Sequence, residues 1–211
     1  MTEKTRVLFS DFDGTITARE SLEAVLKAFA PGKYDDMMKR LKAGEVTIRD
    51  GVREMVEAIP SDRYPEIIEF VKEIPIRQGF EAFLDFLEAH KIKFIVLSGG
   101  LRGMVEARLG PFVERAHRII AADVNTDGPY LKVFSDYEIG TELVAKVEVM
   151  KEYGADEQIV VGDGITDIQM AQHGTTVFAR DSLAKFLDEA NVPYYAWSDF
   201  LDVRDKLESL L

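Results

Sequence analysis

Val7-Leu8-Phe9-Ser10-Asp11-Phe12-Asp13-Gly14-Thr15 decides how this chain folds. An apolar run that breaks into a polar, glycine-bearing string reads as a buried strand ending in a sharp turn. The same grammar returns twice: Phe94-Ile95-Val96-Leu97 runs into Ser98-Gly99-Gly100, and Ile159-Val160-Val161 runs into Gly162-Asp163-Gly164-Ile165-Thr166-Asp167. Unbroken apolar runs mark strands covered on both faces, as in parallel sheets, and such sheets bind ligands at the carboxyl ends of their strands. The aspartates Asp11, Asp13, Asp163 and Asp167, with Ser98, are therefore expected around one crevice.

Working outward, residues 15–79 carry a helical rather than a stranded pattern. Ser21 is a candidate N-cap for a helix over 22–29, which Pro31-Gly32 should stop. Helices are expected over 34–43, over 47–58 with Thr47 as N-cap, and over 64–73. Then follow helix 80–89, strand 93–97, helix 101–109, strand 117–121, a hairpin at Asn125-Thr126-Asp127-Gly128, helix 141–153 and strand 158–162. Short strands at 175–178 and 193–195 and helices at 182–190 and 199–210 complete the chain. This alternation predicts an α/β fold: a Rossmann-like, doubly wound, mostly parallel sheet with an inserted helical-bundle cap domain.

Composition narrows the function. The 211 residues carry 38 acidic and 26 basic side chains, a formal net charge of -12, which disfavours nucleic acid and anionic membrane as partners. No run approaches the roughly 18 apolar residues of a membrane span, and Met1-Thr2-Glu3-Lys4 leads towards a strand rather than a signal sequence, so a cytoplasmic protein is expected. With no cysteine, disulfides, thiolate nucleophiles and cysteine zinc sites are excluded. His90, His117 and His173 lack metal-ligand spacing, and Trp197 with Tyr194 and Tyr195 reads as packing near the last strand.

The remaining chemistry belongs to oxygen. Side chains two apart on an extended segment point the same way, so Asp11 and Asp13 should face the crevice while Phe12 enters the core, and Gly14 permits the exit. Alone, the pair would read as turn residues, but Asp163 and Asp167 form a second acidic cluster. Their mutual repulsion calls for a hard divalent cation with oxygen ligands, and Mg²⁺ fits one bound by few carboxylates, water and a substrate phosphate. Ser98 with Gly99 and Gly100 suits phosphate oxygens, although alone Ser98 would read as a cap for the helix starting near Leu101. Lys146, on the helix preceding the Asp163 strand, is the candidate phosphate cation, with Lys132 and Lys151 as competitors.

At these residues the chain resembles the haloacid dehalogenase superfamily, specifically its phosphatase branch with a helical cap. The resemblance implies an α/β core over 1–14 and 80–211 and a cap over 15–79. It implies that Asp11 attacks phosphorus and becomes an aspartyl-phosphate, while Asp13 protonates the leaving oxygen and then activates water. Asp11, the Asp13 backbone carbonyl and Asp163 would hold Mg²⁺, with Asp167 beside them. Ser98, Gly99, Gly100 and Lys146 would grip the phosphoryl group, and Thr15 would support the first loop. The implied function is Mg²⁺-dependent hydrolysis of a small phosphomonoester.

Two branches compete for the substrate. Glu20 and Arg53 resemble the amino-group and carboxylate contacts of phosphoserine phosphatases. Phe29-Ala30-Pro31, residues 47–52, Ile76-Arg77-Gln78-Gly79-Phe80 and Phe178-Ala179-Arg180-Asp181 resemble methionine-salvage enol-phosphate phosphatases instead. A haloalkanoate dehalogenase would need neither Asp13 nor Mg²⁺, and a phosphotransferase would differ only in its acceptor. A non-catalytic phosphometabolite-binding protein would bind without turnover.

Overall fold

The computed structural model describes residues 4–211, so Met1, Thr2 and Glu3 of the lead-in lie outside the described residues. Seven strands build one sheet: β1 (Arg6–Asp11), β2 (Lys93–Leu101), β3 (Arg118–Asn125), β4 (Lys132–Phe134), β5 (Glu157–Gly162), β6 (Thr176–Ala179) and β7 (Tyr195–Ala196). Their order is β4-β3-β2-β1-β5-β6-β7, parallel throughout except for the antiparallel β3–β4 hairpin. The α/β reading of the sequence is therefore correct.

The central position of β1 follows from its residues. Phe9 lies level with Ile95 of β2 and Val160 of β5, so the strand is apolar along both edges as well as both faces. Its alternate side chains feed different cores. Leu8 joins Phe94, Val96 and Ile159 under α5 (Phe80–Ala89) and α10 (Phe200–Glu208). Val7 and Phe9 join Ile95, Leu97 and Val160 on the other face, under α7 (Lys146–Tyr153), α8 (Ile168–His173) and α9 (Asp181–Ala190). Because the chain builds outward to β3 before returning to β5, the strand order reverses at β1, and the crevice opens there.

Four helices lie between β1 and α5: α1 (Ser21–Phe29), α2 (Pro31–Lys42), α3 (Ile48–Val56) and α4 (Tyr64–Lys72). Their two connections to the sheet run side by side, joined by a Thr17–Ile76 bridge and by hydrogen bonds from Ala18 N–H to Pro75 O and from Arg77 N–H to Ile16 O, each 2.8 Å. The helices do not keep a private core. Val25, Met37, Met55 and Ile67 share one apolar cluster with Leu101 and Met104, at the start of α6 (Arg102–Leu109), and with Ala122, Leu131, Val133 and Leu143.

Several boundaries differ from the sequence reading. Helix α1 ends at Phe29, before Pro31-Gly32 as expected, but the next helix does not wait until 34: Pro31 itself opens α2, where its missing N–H costs nothing. Ser21 is the first residue of α1 rather than its cap, whereas Thr47 caps α3 as expected, accepting from Asp50 N–H at 3.1 Å. Helix α7 starts at Lys146, not 141, because residues before it are tied elsewhere: Thr141 O accepts from Arg49 N–H and Ala145 N–H donates to Tyr137 O. The sequence reading missed α8, whose six residues are too few to show a helical period. Among the described residues no helix is long and apolar enough to cross a membrane.

Phe80 is the central ring of the α5–α10 side, 5.1 Å from Phe200, 5.5 Å from Phe112 and 5.9 Å from Phe94 by ring centroids. Phe80→Ala should cost about 3–5 kcal/mol in urea unfolding, against less than about 1 kcal/mol for Phe134→Ala on the exposed β4 edge. Equal losses would remove Phe80 from the core of this account.

Candidate active site

Asp11 ends β1, and the ammonium of Lys146, the first residue of α7, reaches it. Lys146 is buried, with Nζ 2.5 Å from Asp11 Oδ1 and 2.6 Å from Asp167 Oδ1. The competitors are engaged elsewhere, Lys132 with Glu57 and Lys151 with Glu148. Asp167 also shapes the loop after β5: its Oδ2 accepts from the backbone N–H groups of Asp163 and Gly164, each at 3.0 Å. Gly162 makes that fold possible, since a Cβ there would lie 2.6 Å from Asp167 Oδ2. Thr15 donates to Asp163 Oδ1 at 2.6 Å. Carboxylate oxygens of Asp11, Asp163 and Asp167 thus gather within 4.8 Å of one another, a group able to hold a metal ion.

Asp13 stands outside that trio. Its Oδ1 accepts from Ser21 N–H at 3.0 Å, from Leu22 N–H at 3.1 Å and from the Ser21 hydroxyl, so it caps α1 from across the turn. Its Oδ2 receives the Ser98 hydroxyl at 3.2 Å. Ser98 is not the cap of α6: Leu101 occupies that position, and Ser98 Oγ accepts from Gly100 N–H at 2.9 Å. Phe12 enters the core, as alternation requires. Gly14, at φ +77°, turns the chain between them, and a Cβ there would run into the carboxyls of Asp163 and Glu20.

The electrostatics are those of a site awaiting positive charge. Three carboxylates against one ammonium leave two formal negative charges in a buried space. Burial, then Asp167, push the Asp11 carboxyl well above the usual carboxylate range, although Lys146 pulls the other way. Asp163 is pushed up to about 6, first by burial, against the hydrogen bond from Thr15. Glu20 is exposed as a residue, but its carboxyl tip is tucked against Gly14; that desolvation, with Asp13 and Asp163 nearby, pushes it up to about 8. Burial works against the charge of Lys146, yet Asp11 and Asp167 outweigh it and hold its titration above the ordinary lysine range.

Arg53 does not join this group. Its guanidinium forks onto Glu138, at 3.0 and 2.5 Å, so the Glu20–Arg53 pair suggested by sequence is not assembled across the crevice. Sequence reasoning missed Arg77. Its guanidinium donates to the carbonyls of Gly14, Thr15 and Thr17, gripping the loop that carries Asp13. Trp197, read as packing, lies between Arg77 and Arg180, each guanidinium 5.3 Å from the ring centroid, and its indole N–H points to Gly162 O at 3.4 Å. Arg77 shows no spacing that announces the role; its signals are its place where the helical segment returns and the resemblance of residues 76–80 noted above, which assigned it no contact.

A family model for haloacid dehalogenase-like hydrolases matches residues 8–172. The chain belongs to that family, and within it the chain is a phosphatase. Among its relatives, the 2-hydroxy-3-keto-5-methylthiopentenyl-1-phosphate phosphatase of Microcystis aeruginosa is 42% identical over 204 residues, covering 96% of this chain and 97% of the relative. The protein of that name from Bacillus cytotoxicus is 30% identical over 212 residues, covering 97% and 96%. Among solved structures, phosphoserine phosphatase from T. onnurineus superposes with a TM-score of 0.73 at 16% identity, covering 96% of this chain and 94% of that one. A phospho-aspartyl intermediate analogue of phosphoserine phosphatase gives 0.71 at 18% identity, covering 98% and 99%. These two likenesses establish the shared fold.

Raised carboxyls have a thermodynamic consequence in chelator-treated protein. The folded state keeps protons on Asp11, Asp163 and Glu20 that the unfolded chain loses near pH 4 to 4.5, at about the ordinary carboxylate values. Stability from these groups is thus full below that range and is lost as pH rises towards about 8. Glu57 and Glu138, held low by burial-opposed and direct bonds to Lys132 and Arg53, titrate below the window. The melting temperature in chelator should fall between pH 5 and about 8, and fall less in Asp11→Asn; a flat or rising profile would refute the crowding described.

Proposed function

We propose that this protein is a Mg²⁺-dependent phosphomonoester hydrolase that forms an aspartyl-phosphate on Asp11 and acts on 2-hydroxy-3-keto-5-methylthiopentenyl 1-phosphate. The observation that carries the reaction is the buried ammonium of Lys146 between Asp11 and Asp167, with Asp163 beside them. The donor set fits magnesium, since the cluster offers hard carboxylate oxygens and neither nitrogen nor sulfur. Asp11, Asp163 and the Asp13 carbonyl would hold the ion, with Asp167 oriented by its bonds to the loop after β5. When bound, it offsets the carboxylate charge and the charge developing on the phosphoryl oxygens.

The chain supplies the rest. Lys146 holds Asp11 through Oδ1 and places a fixed positive charge beside the entering phosphoryl group. Ser98 and the backbone of Gly99 and Gly100 bind its oxygens. Asp13 gives a proton to the leaving oxygen and then takes one from the attacking water. Its working oxygen is Oδ2, whose bond from Ser98 is released when that hydroxyl turns to the phosphoryl group, because Oδ1 is committed to Ser21 and Leu22. The helical segment 15–79 serves as the cap over the crevice.

For the substrate, the enol-phosphate rests on 42% identity over nearly the full length of both chains. Phosphoserine is less well suited, as its carboxylate would need Arg53, whose guanidinium is bound to Glu138. A phosphorylated metabolite of this kind supports the cytoplasmic reading.

Asp11→Asn should lose more than about 10³-fold in kcat while remaining folded, and acid-quenched wild-type enzyme should carry phosphate on the peptide containing Asp11. The enol-phosphate should exceed phosphoserine in kcat/KM by about 10²-fold or more, and chelation should stop turnover until Mg²⁺ returns. Phosphate binding without turnover in Mg²⁺ would replace the enzyme with a binding protein. Dehalogenation of a haloalkanoate in chelator would replace the reaction.

A further inference from the structure

Beside the Lys146 ion pairs lies a cavity of about 200 Å³ whose lining combines Gly99 and Lys146 with the apolar Ile48, Leu143, Val144 and Ile165 and with polar groups at 141–142, 166 and 169. Those apolar groups come from separate parts of the fold: Ile48 from the first turn of α3, Leu143 and Val144 from the segment before α7, and Ile165 from the loop that carries Asp163 and Asp167. Ile48 is 44% exposed and Ile165 is 59% exposed, and neither packs into any of the three apolar clusters. One exposed isoleucine is ordinary. Two, presented from different elements to one hollow that also touches the phosphoryl-binding groups, form the wall of a ligand pocket.

The charges of the lining agree. Among its described residues the sole cation is Lys146, which is committed to Asp11 and Asp167, and the sole anion is Glu142. A substrate tail ending in a carboxylate would meet Glu142 and no free positive charge there, whereas an apolar tail needs neither. At about 30 Å³ for each water-sized group, the space takes a tail of roughly six heavy atoms.

We propose that this cavity receives the apolar, thioether-bearing tail of the phosphoester, with Ile48 and Ile165 as specificity-determining residues. The inference rests on the phosphatase reading above and adds to it the groups that choose the ester. Ile48 belongs to the helical segment and Ile165 to the catalytic loop, so the pocket is complete only when both line it.

The test is a series of unbranched alkyl monophosphates from ethyl to hexyl, their ω-carboxylate counterparts, and p-nitrophenyl phosphate as a general reporter, all with Mg²⁺. Wild-type kcat/KM should rise by about fourfold per methylene until the cavity is filled, and an ω-carboxylate should erase the gain. In Ile48→Ala/Ile165→Ala the increment should fall below about twofold per methylene, and Ile165→Thr alone should lower it part of the way. Chain-length independence in a wild-type enzyme that cleaves p-nitrophenyl phosphate would overturn the pocket and leave the phosphatase standing. A full increment in the folded double variant would also overturn it. Failure to cleave any ester would overturn both readings.

Discussion

One buried ammonium makes the rest of the site possible. Asp11, Asp163 and Asp167 could not all be ionised within a few ångströms of one another inside a protein without positive charge between them, because neither water nor distance screens them there. Lys146 supplies the part of that charge which is encoded in the chain. It also draws β1, the start of α7 and the loop after β5 to a common point. The parallel sheet meets the same requirement from below, by setting β1 and β5 side by side so that their carboxyl ends share one crevice.

Around that centre the loops are held by unlike devices. Thr15 ties the loop after β1 to Asp163, and Arg77 clasps the same loop by its carbonyls. Trp197, between two guanidiniums, extends the linkage to Gly162. Asp13 is fastened by the N-terminus of α1, where unpaired N–H groups and the helix dipole favour an anion. Asp11 and Asp13 therefore have separate anchors, Lys146 for one and the start of α1 for the other, so two acids on one short turn sit in unlike surroundings.

What the sequence revealed, and what it hid, divides along physical lines. Apolar runs such as 94–97 and 159–161 show directly because burial on both faces leaves no polar residue to confuse them, and the strings that follow them locate Asp11 and Asp163 at strand ends, Asp167 in the turn beyond β5 and Ser98 where β2 loses its register with β3. Lys146 was legible as a candidate because it lies on the helix before β5, but only coordinates separate it from Lys132 and Lys151, whose local sequence is just as plausible. Arg53 looked equally suitable and is bound to Glu138, a partner 85 positions away that no local pattern could disclose. The bonds of Arg77 to the loop after β1 reach across 60 to 63 positions and end on carbonyls, which carry no sequence signature at all.

The apolar cluster under α1–α4 is joint property: Met55 and Ile67 share it with Met104, Leu131, Val133 and Leu143. Segments that choose ligands are often treated as exchangeable parts, to be grafted from one homologue to another. Here a graft would transplant half of an interior, and each side chain on the receiving half would have to be refitted at close to crystalline packing density. Changes in the inserted helices and changes in thermal robustness are thus coupled through packing, and recombination with a distant relative should favour crossovers that carry α6 and the β3–β4 hairpin along with those helices.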